Sequence, residues 1–193
     1  MGFDELSTPR ITTLTKQMVS RLLKANKSAY VTIARDASLE ATEDIKEVSG
    51  IAVKPLKTDE AFIAAILALY NPVTGYLYEA EADRKRARLA EALIAAVIAG
   101  LRAEYHKELR KFANLWHTQT LQYAVTVVDE TRKETFKKNG IRRVRWETEK
   151  DDKVCEKCKA RDGKIYDIDK IPPKPHYNCR CWIVPILEKG NNG

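Results

Sequence analysis

The residues best suited to chemistry lie near the C-terminal end, where all four cysteines and one of the three histidines are found. Cys155 and Cys158 form a C-x2-C pair, and Cys179 and Cys181 form a C-x-C pair farther along the chain. Thiolates and imidazoles are preferred zinc ligands, and two separated ligand pairs are typical of structural zinc sites. The spacing predicts zinc bound by Cys155, Cys158 and Cys179, with His176 or Cys181 as the fourth ligand.

The C-x-C pair leaves other states of the cysteines open. In an extended strand the side chains of Cys179 and Cys181 point to opposite faces, so both reach one ion only if the backbone turns there. Free cysteines are also buried as small apolar side chains, and disulfides form in an oxidising medium. Metal ligands, disulfides and free thiols therefore all remain compatible with the sequence.

The sequence lacks a recognisable catalytic set. An HNH-type nuclease needs a histidine general base and further ligands on a catalytic metal. His106 and His117 lie in predicted helix far upstream of His176, so no histidine pair is available. Gly-rich phosphate loops, G-x-S-x-G elbows and H-E-x-x-H motifs are also absent from the sequence. We therefore predict a protein that is not an enzyme, with an HNH-type nuclease as the least favoured alternative.

A basic cluster precedes the cysteines. The chain has 34 lysines and arginines against 27 acidic residues, a net charge of +7. Such a cluster can contact phosphate backbones or an acidic protein surface, although cations at a helix C-terminus also complement its dipole without any partner. An alternative function is therefore a zinc-ribbon-like nucleic-acid-binding protein. The candidate contact residues are Arg132, Lys133, Lys137, Lys138, Arg142, Arg143 and Arg145.

Residues 1–139 are predicted to form a helical body. Apolar residues recur at three- and four-residue steps over residues 7–35, which indicates an amphipathic helix. A second helix is expected over residues 38–48, closed by Ser49-Gly50. A connector then leads to a third helix over residues 58–69, which stops before a proline.

The longest predicted helical region is residues 76–138, which contain no proline and only Gly100 as a breaker. One very long helix or two stacked helices are expected there. Residues 89–101 are apolar almost all round, which is typical of a helix buried in a bundle or an oligomer. No apolar run reaches the roughly 20 residues of a membrane span. The first residues lack the apolar core of a secretory signal, so the cytoplasm is the expected compartment.

The hydrophobic period changes to two after Asn139-Gly140, a helix-ending pair. Short strands are predicted over residues 141–147, 164–168 and 181–186, followed by a polar tail over residues 188–193. The expected fold class is mainly α with a small α+β C-terminal module over residues 140–187. This module would consist of a short antiparallel sheet stapled by the Cys/His cluster.

The first of these strands alternates basic and apolar residues. Strict alternation places Arg143 and Arg145 on one face. Arg142, Val144 and Trp146 would then share the other face, so the arginines do not form one basic surface. Trp146 is expected to anchor the core of the module.

Several short motifs follow one another at the C-terminal end. They are Trp146-Glu147-Thr148, the Cys155 and Cys158 turn, Asp162-Gly163-Lys164, Pro172-Pro173, Pro175-His176, Asn178-Cys179-Arg180-Cys181 and Pro185. In this order they resemble the C-terminal domain of phage head morphogenesis proteins, the Mu F-like minor head proteins. The resemblance covers about residues 120–187, and Gly163 belongs to its hairpin. Ala160-Arg161 and Tyr177 depart from the pattern without removing a candidate ligand.

The resemblance implies a minor capsid protein of a tailed phage or prophage. Such a protein would bind the portal protein or the major capsid protein and support head assembly and DNA packaging or delivery. Its expected location is the virion, in the capsid interior or the portal region, after assembly in the host cytoplasm. Weak contact of the basic cluster with packaged DNA is compatible with this role.

Overall fold

The computed structural model describes residues 3–57, 59–61, 70–71, 76–176 and 179–187. Its helices are α1 (Thr8–Ser49), α2 (Tyr78–Ile98), α3 (Arg102–Lys138) and the short α4 (Glu156–Lys159). Its strands are β1 (Tyr70–Asn71), β2 (Tyr76–Leu77), β3 (Arg143–Glu147), β4 (Ile165–Asp167) and β5 (Trp182–Ile186). Phe3–Glu5 and Ile168–Lys170 form 3-10 turns. The predicted fold class, mainly helical with a small antiparallel sheet, is confirmed.

Some sequence predictions fall partly or wholly outside these residues. Residues 59–61 are helical, and the rest of the predicted third helix lies outside the described residues. The polar tail over residues 188–193 also lies outside them. Within the described part of the chain, no helix combines the length and the apolar character needed to cross a membrane.

The first two predicted helices form a single helix, α1, so the predicted break between Arg35 and Ser38 is wrong. Burial continues through this point, since Ala37 and Ser38 are 2% and 0% exposed. The Ser38 hydroxyl accepts hydrogen bonds from the backbone N–H of Leu56 (2.8 Å) and from the Thr135 hydroxyl (3.0 Å). Tertiary contacts therefore satisfy a polar residue in the middle of a helix. The predicted end at Ser49-Gly50 is confirmed.

Gly100 separates α2 from α3 and decides between the one-helix and two-helix predictions. Its φ is +67°, in the left-handed region that glycine adopts without strain. The N–H of Gly100 donates to Val97 O (3.0 Å), and the N–H of Leu101 donates to Ala96 O (2.8 Å). These two bonds form a Schellman motif, which satisfies the last carbonyls of α2.

Gly140 ends α3 in the same way, with a φ of +78°. Its N–H donates to Lys137 O, and the N–H of Ile141 donates to Phe136 O, both at 3.0 Å. Phe136 and Ile141 are both buried in one core cluster, as is usual for the apolar contact of this motif. The predicted end at Asn139-Gly140 is confirmed, and the chain enters the sheet from there.

The chain divides into two compact units, and each takes part of α1 and of α3. The first comprises Met1–Tyr30 and Leu69–Tyr123. Leu89 and Leu93 are buried in this unit, whereas Ile98 is 78% and Leu101 is 55% exposed. Only part of the apolar stretch over residues 89–101 is therefore covered. The core of this unit contains Ile11, Val19, Ala82, Leu89, Leu93, Phe112 and Trp116.

The second unit comprises Val31–Ala68 and Ala124–Gly193 and contains the three-stranded antiparallel sheet, in the order β4-β3-β5. Val144 pairs with Tyr166 on one side and with Pro185 on the other. The three predicted strands are confirmed, with shorter ends. Their core also contains Ala41 and Ile45 of α1 and Phe136 of α3. A separate domain over residues 140–187 stays a prediction.

Side chains alternate along β3 only from Arg143 onward. Val144 and Trp146 are 0% and 2% exposed, and Arg143 and Arg145 face outward as predicted. Arg142 precedes the strand, and its carbonyl accepts the N–H of Ile168 (2.9 Å). Its side chain is exposed, so the predicted placement of Arg142 on the inner face is wrong.

Candidate metal centre

The turn that begins α4 positions the first cysteine pair. Cys155 is the N-cap residue in an extended conformation, and Cys158 lies inside the helix. The backbone N–H groups of Cys158 and Lys159 both donate to Cys155 O at 2.9 Å. Because the turn is this tight, both thiols lie in one cluster with His176.

The second cysteine pair lies just before β5, and both residues are 4% exposed. The Sγ atoms of Cys158, Cys179 and Cys181 lie within 4.8 Å of one another. The backbone therefore turns between Cys179 and Cys181 and brings both thiols close to Cys158. The sequence alone did not show whether this turn is present. The intervening Arg180 pairs with Asp151 (Nη2 to Oδ1, 2.6 Å).

His176 joins the cluster from the loop before the C-x-C pair. Its Nε2 lies 3.1 Å from the Sγ of Cys155 and 3.7 Å from that of Cys158. The Sγ of Cys158 lies 3.5 Å from that of Cys179. Cys158 thus belongs to two groups of three, one with Cys155 and His176 and the other with Cys179 and Cys181. The structure thus places the five candidate ligands in two groups of three that share Cys158, and such a Cys/His group could hold a metal ion.

The thiols differ in acidity. The pKa of Cys155 is lowered to about 7, chiefly by a hydrogen bond from the backbone N–H of Cys158. Hydrogen bonds from the Cys158 thiol and from His176 lower it further. Burial raises the pKa of Cys158, and neighbouring thiols raise it further. Burial also raises the pKa of Cys181. A divalent cation would favour the thiolate form at all of these positions, because metal ligation displaces the thiol proton.

Two cations hold the loop that carries His176. The Nζ of Lys174 lies 2.9 Å from Oδ2 of Asp129, and Nη1 of Arg161 donates to Pro173 O (2.7 Å). The Arg161 guanidinium also lies over the Trp146 ring, 5.2 Å from its centroid. Sequence reasoning missed these contacts, since a lone lysine and a lone aspartate far apart in sequence carry no pairing signal.

Gly163 lies in the turn that leads from α4 into β4. Its φ is +73°, and its N–H donates to Trp146 O (2.8 Å). Oδ1 of Asp162 accepts both the N–H and the hydroxyl of Thr148 at 3.0 Å. Trp146 and Gly163 thus belong to the framework that supports the cluster.

The basic cluster does not form one open surface. Arg132 is 8% exposed, pairs with Asp44 and donates to Ile183 O (3.3 Å). Within the described part of the chain, Arg142 and Arg143 are exposed and make no ion pair. The other cations face carboxylates: Lys133 with Glu130, Lys137 with Glu134 and Asp169, Lys138 with Glu60, and Arg145 with Glu147.

Comparison with protein-family models matches residues 87–184 to the family described as Phage Mu protein F like protein. The matched region is just over half of the chain and contains all five candidate ligands. The chain belongs to this family. Searches of curated proteins and of solved structures found no match.

Membership of the Phage Mu protein F like family suggests a phage head morphogenesis protein. The family is one of structural head proteins and is not known for enzymatic activity. The resemblance found in the C-terminal motifs is confirmed.

Proposed function

We propose that this Mu F-like protein is a minor head protein of a tailed phage or prophage, which binds the portal protein or the major capsid protein. In this role it supports head assembly and DNA packaging or delivery, and it resides in the virion at the portal or the capsid interior. The observation that carries the proposal is the family match, which extends from α2 to β5 and includes the Cys/His cluster.

Exposed apolar side chains support a role in protein contacts. Ile98 and Leu101 lie at the corner between α2 and α3, and Leu115 and Leu121 on α3 are 52% and 48% exposed. Exposed apolar surface is available for association with another protein, and it marks an interface where it is contiguous. We assign the helices of the first unit to the docking of a head protein partner, or of a second copy of this chain.

Zinc is the ion that we assign to the Cys/His cluster. Its candidate ligands are three buried thiols, one half-buried thiol and an imidazole, a donor set that suits zinc better than magnesium or calcium. Coordination of the ion would link α4 to the segment before β5. It would add to the stability that the small hydrophobic core provides. Its role would be structural, since His106 and His117 lie exposed on α3 and belong to neither ligand group.

Contact with packaged DNA is a secondary part of the proposal. Arg142 and Arg143 are the exposed cations of the basic cluster whose charges no carboxylate neutralises among the described residues. Two such arginines support weak contact with phosphates, whose strength would fall steeply with added salt. A primary nucleic-acid-binding role has less support, because most of the basic cluster is paired within the chain.

Gradient co-sedimentation tests the proposed role. The protein is co-expressed with the portal and capsid proteins encoded beside it, treated with nuclease and sedimented at moderate salt. We expect stable comigration with one of these proteins, and a monomer left at the top of the gradient would contradict the proposal. The matched control carries Arg142→Gln and Arg143→Gln. It should still comigrate, since contacts between proteins do not depend on phosphate binding.

A further inference from the structure

A small cavity lies between α4 and the segment that leads into β5. Its lining includes Cys155, Cys158, His176 and Cys181. Among the described residues that line it, Cys179 is not found, although the Sγ of Cys179 is only 3.5 Å from that of Cys158. The two thiols of the C-x-C pair therefore differ in their access to the space that an ion would occupy.

The distances within this lining fit a tetrahedral ion. In a tetrahedral zinc site with Zn–S near 2.3 Å and Zn–N near 2.0 Å, a sulfur and a nitrogen ligand lie about 3.5 Å apart. The Nε2 of His176 is 3.1 Å from the Sγ of Cys155 and 3.7 Å from that of Cys158. The three ligand atoms therefore lie close enough together to share one ion.

Trp146 supplies an independent reason to choose Cys181 over Cys179. The indole Nε1 of Trp146 is buried and has no hydrogen-bond partner among the residues that the structure describes. The Cys181 thiol is a neighbour of this indole in the same buried core cluster. A thiolate at Cys181 would give this donor an acceptor, and ligating thiolates in metal sites usually accept such bonds from outer groups.

We propose that the cavity binds one zinc ion through the thiolates of Cys155, Cys158 and Cys181 and the Nε2 of His176. Cys179 remains a buried thiol of the core beside the site. The proposal rests on the zinc assignment made above but not on the head protein role. It differs from both ligand sets that the spacing suggests, because each of those includes Cys179. On binding, each thiol releases its proton to solvent.

Cobalt substitution in the full-length chain tests the ligand set. The protein is purified under reducing conditions, stripped of metal and titrated with Co²⁺, whose visible spectrum reports the number of thiolate ligands. We expect one ion per chain and the spectrum of three thiolates and one imidazole. Cys181→Ser should reduce the thiolate-to-cobalt charge-transfer absorbance by about a third, since one thiolate of three is lost. The matched control Cys179→Ser should leave the spectrum unchanged.

A second variant covers the case in which Cys181→Ser fails to fold. His176 is exposed, so His176→Cys places little demand on packing. This variant should shift the cobalt spectrum to that of four thiolates. Absence of bound Co²⁺, an unchanged spectrum in His176→Cys, or a loss of absorbance in Cys179→Ser would each overturn the proposal. The co-sedimentation test measures the head protein role separately. Failure of the proposed ligand set can therefore be distinguished from failure of the proposed head protein role.

Discussion

Lys174 Nζ lies 2.9 Å from Oδ2 of Asp129, and this ion pair joins the loop that carries His176 to helix α3. The two side chains are 20% and 30% exposed, so neither is fully solvated. The long helix therefore helps to position a candidate zinc ligand, through residues that lie outside every recognisable motif.

Loss of the lysine should destabilise the second unit. Lys174→Ala leaves the partly buried carboxylate of Asp129 without its cation, and we expect a loss of about 1–2 kcal/mol after allowing for solvent screening. Removing both partners should cost less than the sum of the two single changes. Urea unfolding of the single and double variants measures this coupling.

The exposed pair of Lys170 and Asp167 is a control for that experiment. Its charges lie 3.1 Å apart, with side chains 80% and 58% exposed. Lys170→Ala should change stability by less than about 0.5 kcal/mol. An equal effect of Lys170→Ala and Lys174→Ala would show that burial of the Asp129 pair adds nothing.

Asp129 should also give a distinct pH dependence. Burial raises the pKa of Asp129 above its ordinary value of 3.8, and Lys174 opposes the rise. The folded chain therefore takes up a proton at a higher pH than the unfolded chain, so this group's contribution to stability increases as the pH falls through the folded pKa. Asp129→Asn lacks this proton uptake.

Thermal melts from about pH 7 to about pH 4 measure the effect. The stability of the wild type relative to Asp129→Asn should increase toward the acidic end. Glu43→Gln serves as a control, because Glu43 is 74% exposed and lies 3.9 Å from its partner Lys46. A difference between wild type and Asp129→Asn that stays constant with pH would contradict the raised pKa.

Ser38 is expected to stabilise the middle of α1 through its hydroxyl. Ser38→Ala would leave the N–H of Leu56 without its acceptor, which should cost about 1–3 kcal/mol. The Thr135 hydroxyl would keep its bond to Thr131 O (2.8 Å). Thr13→Ala is a control, since the exposed Thr13 hydroxyl bonds Pro9 O of its own helix. Urea unfolding should give a lower midpoint for Ser38→Ala than for Thr13→Ala. Equal midpoints would show that the buried Ser38 hydroxyl does not contribute to stability.

Gly140 is expected to stabilise the end of α3 through its backbone conformation alone. A Cβ at this position would meet no atom of the described residues within 4 Å, so the expected penalty for a side chain is the strain at a φ of +78°. Gly140→Ala should cost about 1 kcal/mol, and Gly140→Asn should cost less because asparagine tolerates the left-handed region. Equal stability of wild type and Gly140→Ala in urea would contradict this interpretation.

The amino-acid sequence determined the features that depend on neighbouring residues. The glycines at 50 and 140 ended helices where expected, and the alternation of Val144 and Trp146 indicated a strand with one buried face. The cysteine spacing was likewise enough to predict a Cys/His cluster. Backbone conformation and side-chain periodicity act over a few residues, so these signals can be read directly from the chain.

Only the tertiary structure decided the features that join distant segments. It showed that α1 continues through Ser38, because Leu56 and Thr135 supply hydrogen bonds that no local pattern announces. It also showed that Arg132 lies in the core beside Asp44 and not on a basic surface. The difference between Cys179 and Cys181 arises in the same way, since burial and access depend on how α4 and β5 pack and not on the spacing of the cysteines.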